Sequence, residues 1–83
     1  MKSNLAFGAV LRLRRIRLGL SQNELASGAG LDRTYISLLE LGRSSPTLET
    51  MYSLCGALNV QFQDLAQLID DTLAKVEDDS TVG

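Results

Sequence analysis

"SQNELASGAGLDRTYISLLELG" occupies Ser21–Gly42 and decides the fold. It opens on Ser-x-x-Glu: Ser21 caps a helix and Glu24, three residues on, reaches back to the Ser21 amide, so two orphan donors are satisfied together. The helix ends near Ala29, where Gly30 can take the left-handed conformation of a tight turn. Asp32 is a good cap for a second helix, which stops before Gly42. Two short helices joined by about three residues around a glycine form the helix-turn-helix layout. The small Ala26 lets the two helices cross closely, and Leu31, Ile36 and Leu39 supply apolar contacts that fix the crossing.

The flanking sequence adds three more helices. The first spans about Asn4–Leu18, with Leu11, Arg15 and Leu18 on one stripe and Gly19 as its stop. After the "RSSP" loop, Thr47 caps a fourth helix whose apolar stripe is Leu48, Met51, Leu54, Cys55 and Leu58, and Asn59 closes it. A fifth begins near Gln61 and carries Leu65, Leu68, Ile69, Thr72, Leu73 and Val76. The expectation is an all-α domain of five helices over residues 4–76, followed by a disordered acidic tail at 77–83.

Composition bounds the chemistry. The 83 residues make one domain at most, and a domain of this size buries only about 60% of its unfolded surface, so a partner subunit is a natural source of stability. Cys55 is the single cysteine, which rules out an intrachain disulfide and suits a cytoplasmic home. With no histidine in the chain, a metal site or a histidine base is not expected, and no cofactor or enzymatic activity is either. "MKSNLAFGAVLRLRRIR" turns basic at once and reads as neither signal peptide nor membrane span. Residues 1–45 carry seven basic against three acidic side chains, net +4; residues 46–83 carry one against seven, net −6. Such segregation points to one surface that meets a polyanion and another that does not.

The third helix explains what the basic half is for. At 100° per residue, Arg33, Thr34, Ser37, Leu38 and Leu41 share one face, while Ile36 and Leu39 lie on the core side. Arg33 sits in the first turn, and its fork suits guanine O6 and N7. Thr34 and Ser37 can bond a base or a phosphate. Arg43, Ser44 and Ser45 follow the helix and can anchor the next phosphate. Tyr35 is divided between two readings, a core ring or a hydroxyl that reaches a phosphate. Cys55, on an apolar stripe, reads as an inert core thiol.

"RIRLGLSQ" (Arg15–Gln22), "YISLLELG" (Tyr35–Gly42) and "SPTLETM" (Ser45–Met51) resemble the DNA-binding domains of the phage lambda-type repressor and Cro (Xre-type) family, over about Phe7–Leu65. "LDRTYIS" is also similar to the controller proteins of restriction–modification systems, small dimeric members of that family. The resemblance implies a five-helix lambda repressor-like domain whose third helix enters the major groove of double-stranded DNA. It implies that Gln22 contacts a phosphate beside the positive end of the second helix. Ser21 at the same end caps first and contacts DNA second. The resemblance further implies that Arg15 and Glu40 form a largely buried structural salt bridge. Leu38 and Leu41 depart from the pattern, since many relatives carry polar or basic groups there.

The fifth helix continues its apolar stripe through Leu68, Ile69, Thr72, Leu73 and Val76, farther than a core needs, and this is the expected homodimer face. The leading expectation is a sequence-specific transcription regulator, a repressor in the simplest case, acting as a homodimer on a two-fold operator. The alternative is an antitoxin or adaptor that acts mainly through a protein partner, a reading favoured by Leu38, Leu41 and the low pI and opposed by Arg33 and the basic first half.

Overall fold

The structure, a computed structural model, describes the backbone of residues 2–82 and the side chains of residues 2–75. Five helices follow in order: α1 Lys2–Arg17, α2 Gln22–Ala29, α3 Arg33–Glu40, α4 Leu48–Leu58 and α5 Phe62–Val82. No strand occurs among the described residues. Val76 and the acidic tail expected at 77–83 lie outside the described side chains.

Local chemistry sets the boundaries. Ser21 accepts the Glu24 amide at 3.0 Å while the Ser21 amide donates to Glu24 Oε1 at 2.9 Å, completing the capping box. Those bonds, the backbone one foremost, hold the Glu24 carboxyl below its ordinary pKa. The cap is therefore fully formed above the unfolded carboxyl's value of about 4.3 and weakens as pH falls through the lower folded value. Asp32 caps α3 through the Thr34 amide at 3.1 Å, and Thr47 caps α4 through the Thr50 amide at 3.1 Å. Gly30 adopts φ 68° after α2, and the Leu31 amide reaches back to the Ala26 carbonyl at 2.8 Å, the six-to-one closure of a Schellman motif.

The core draws on every helix. Leu11, Leu25, Ile36, Leu39, Leu54, Leu58 and Leu65 are fully buried. α1 packs against α3 and α5, α2 against α3 and α4, and α4 against α5. Tyr52 is exposed but stacks on Phe62, with ring centroids 4.7 Å apart, and so ties α4 to the start of α5.

Two expected core positions move. Leu18 follows α1 and is exposed; the buried face of α1 is Ala6, Phe7, Val10 and Leu11. The reason is the helix end: Gly19 at φ 71° lets the Leu20 amide return to the Arg15 carbonyl at 3.1 Å, so Leu18 sits in the unwinding turn. Leu48, the first residue of α4, is likewise exposed, and Thr50 is buried instead. Thr50 can be buried because its hydroxyl lies 3.0 Å from Thr47 Oγ1.

α1 crosses α3 at Gly8, where a Cβ would meet the Leu39 carbonyl oxygen and lie 2.7 Å from that of Glu40. These are backbone atoms at the end of α3 and cannot swing aside. Gly8→Ala should therefore lower stability by about 1–3 kcal/mol through overpacking. Gly56 in α4 faces open space, and Gly56→Ala should raise stability by about 0.4–1 kcal/mol through chain entropy. Thermal or urea unfolding of the two variants should move in opposite directions; a neutral Gly8→Ala would show that α1 and α3 are farther apart than described.

Candidate nucleic-acid interface

The site begins with a buried ion pair. Arg15 grips Glu40 with two bonds, Nε to Oε2 at 2.6 Å and Nη2 to Oε1 at 2.9 Å. Its remaining nitrogen, Nη1, donates to the Leu20 carbonyl at 2.9 Å. The side chains are 12% and 4% exposed, so the pair sits in protein rather than in water. The hydrogen bond to Glu40 raises the Arg15 pKa further above its already high value, so the guanidinium stays charged. Gln22 Nε2 adds a bond of 3.1 Å to Glu40 Oε1. One carboxylate thus binds the end of α1, the start of α2 and the end of α3 together.

Gln22, the residue expected to touch a phosphate, is half-buried and bonded to Glu40. Its amide nitrogen carries two hydrogens, so one bond to Glu40 leaves a second donor beside the α2 N-terminus. Ser21 is exposed; its oxygen accepts from Glu24, and its hydroxyl proton stays available to an outside acceptor.

Arg33 and Thr34 are exposed in the first turn of α3, and Ser37, one turn later, is half-buried. Arg33 makes no salt bridge among the described residues, so its guanidinium is open to a ligand. Leu38 and Leu41 are exposed along the same side, Leu41 more than half. Tyr35 packs its ring against the core and is half-buried. Arg43 is exposed and Ser44 half-buried beyond the left-handed Gly42 that ends α3. Ser45, expected among the phosphate anchors, donates to Asn4 Oδ1 at 3.0 Å and so ties this loop back to α1.

On α5, Leu68 is exposed, and Thr72 and Leu73 are half-buried. The Thr72 hydroxyl donates to the Leu68 carbonyl at 2.8 Å, so it would bring no unsatisfied donor into an apolar contact. Ile69 packs partly against the core of its own chain. Cys55 is buried, and burial pushes its thiol pKa up, consistent with an inert core residue. No described helix is long and apolar enough to cross a membrane.

A helix-turn-helix pair with an open cationic first turn is the architecture of DNA-binding domains. The helix-turn-helix family model matches residues 11–65. The chain is 43% identical, over 61 residues, to the HTH-type transcriptional regulator y4dJ of Sinorhizobium fredii; that stretch covers 74% of this chain and 78% of the relative. Among solved structures it is similar to the clp gene regulator ClgR of Corynebacterium glutamicum, with a TM-score of 0.91, 29% identity and coverage of 96% of this chain and 85% of the other. It is also similar to the restriction–modification controller protein C.AhdI of Aeromonas hydrophila, with a TM-score of 0.76, 35% identity and coverage of 78% and 98%. The chain belongs to the Xre-type helix-turn-helix family, a family of DNA-binding transcription regulators.

The geometry of the ion pair yields a test. Arg15→Met or Glu40→Leu alone strands a buried charge and should cost about 3–5 kcal/mol, whereas the double substitution should recover much of that loss. A double-mutant cycle by denaturant unfolding measures the coupling; additive losses would show that the two side chains do not act as a pair.

Proposed function

We propose that the chain is a sequence-specific regulator of transcription that binds a two-fold operator as a homodimer, with α3 in the major groove. The observation that carries this reading is the open row of Arg33, Thr34 and Ser37 on a helix whose far end is pinned by a buried ion pair. Arg33 lies where recognition helices meet base edges, and its fork matches guanine. The Thr34 and Ser37 hydroxyls can bond a base or a phosphate, and exposed Leu38 suits a thymine methyl. Ser21 and Gln22 at the α2 N-terminus, with Arg43 and Ser44 after α3, contribute phosphate contacts that set the register. Tyr35 acts mainly through its ring, by bracing α3 on the core. Such a regulator works in the cytoplasm. The names of the relatives, transcriptional regulator and controller protein, support this reading.

The dimer face proposed is α5, with Leu68, Thr72 and Leu73 at its described centre and Ile69 shared with the core. Two-fold pairing there would set two recognition helices about 34 Å apart, one turn of DNA.

Duplexes selected from a random pool, or drawn from the region upstream of the chain's own gene, provide the binding assay. Arg33→Ala should weaken the selected duplex by about 1–3 kcal/mol and relax preference at one base pair, whereas Arg43→Ala should weaken selected and random DNA alike. If the dimer neutralises roughly 6–10 phosphates, affinity should fall by about 10³–10⁵ between 50 and 200 mM salt. Equal losses for both variants on both kinds of DNA, or a flat salt response, would contradict the reading.

Sedimentation tests the dimer. Leu68→Asp with Leu73→Asp should convert a dimer to a monomer and leave the fold intact, because neither residue belongs to the fully buried core. A dimer that persists would move the interface elsewhere.

A further inference from the structure

α1 buries one face and leaves a second apolar face bare. Leu5, Leu13 and Ile16 are 57%, 52% and 50% exposed, and Ala9 between them is also exposed. At 100° per residue these four fall within a quarter of the helix circumference, opposite Phe7 and Leu11. The stripe runs from residue 5 to residue 16, about 16 Å at 1.5 Å per residue. Ala9, Arg12, Leu13 and Ile16 line a shallow depression of about 300 Å³ on it. The fully buried core does not use this face: at its edges Leu5 lies beside Gly42 and Leu13 shares a groove with Leu68 and Thr72 of α5, while Ala9 and Ile16 between them stay open. Isolated exposed leucines need no explanation, but an apolar stripe at helical spacing does.

Charge specifies the occupant. α1 contains no acidic residue, although the whole chain carries a net charge of −2. Lys2, Arg12 and Arg17, all exposed, border the stripe. Two copies pairing through this face would set cations against cations. The α5 of another copy is already engaged in the dimer proposed above, on which this step rests, and so is not the helix that fills this face. A four-residue stripe with a cationic rim instead fits one short amphipathic helix that carries the opposite charge.

We propose that the outer face of α1 is a docking surface for an acidic amphipathic helix of another protein, with Leu13 and Ile16 as the apolar anchors and Lys2, Arg12 and Arg17 as the charged rim. This surface is separate from the DNA-reading face, so a regulator bound to DNA would still present it.

The test uses the full chain and a synthetic helical peptide with leucines at i, i+3, i+4 and i+7 and glutamates elsewhere. A counterpart with lysine in place of glutamate is the control. Fluorescence anisotropy should show saturable binding of the acidic peptide that weakens with salt, and amide shifts should centre on residues 5–17. Ala9→Asp with Ile16→Asp, at positions that line the depression but not the groove that holds Leu68 and Thr72, should weaken binding at least about tenfold while leaving DNA affinity and sedimentation unchanged. Arg12→Glu should weaken the acidic peptide and improve the lysine peptide. The proposal is overturned if the lysine peptide binds wild type as well as the acidic one, or if the double variant binds undiminished. It is equally overturned if the double variant alters the oligomeric state, which makes the face a self-contact. Binding to vesicles of anionic phospholipid without peptide binding would make it a membrane contact instead.

Discussion

The bond between Arg15 and Glu40 is the constraint on which the site depends. α3 is eight residues long, too short to hold itself in place. Its direction must come from what grips its two ends. At the start, the Asp32 cap and the turn at Gly30 fix it to α2. At the end, Glu40 takes two bonds from Arg15 and one from Gln22, while Arg15 also holds the Leu20 carbonyl. Desolvating two charges is costly, and apolar residues of the same shape could supply as much stability. What apolar residues lack is direction. Two parallel bonds from a planar guanidinium set an orientation as well as a distance.

Gly8 makes that grip possible from α1. With no side chain there, the backbone of α1 comes within contact of the last turn of α3, and the Arg15 guanidinium, two turns on, lies within reach of Glu40. The same carboxylate holds Gln22 at the α2 N-terminus, so the group proposed to contact phosphate and the helix proposed to read bases share one anchor. Strain at that anchor would move both together.

Much of this was legible in the sequence because caps are local chemistry. Ser21 with Glu24, Asp32 and Thr47 announced three helix starts through side chains that need only their own backbone. Gly19, Gly30, Gly42 and Asn59, all at positive φ, announced the ends. Leu18 and Leu48 misled because periodicity places a residue on a face without saying how far the helix extends; each sits at a terminus, where the stripe runs out before the packing partner does. The bond from Gln22 to Glu40 was not legible, because it spans 18 residues and exists only once α2 and α3 are packed. The bare stripe on α1 was hidden for a related reason. Leu5, Leu13 and Ile16 look like core until Phe7, Val10 and Leu11 are seen to fill it.

The central claim is that the exposed row on α3 meets DNA, and amide shift mapping by NMR tests it most directly. The labelled protein is titrated with its best selected duplex at moderate salt. The account predicts that the largest shifts fall on Ser21, Gln22, Arg33, Thr34, Ser37, Arg43 and Ser44. Shifts that centre on the outer face of α1 or on α5, with residues 33–37 unmoved, would contradict it.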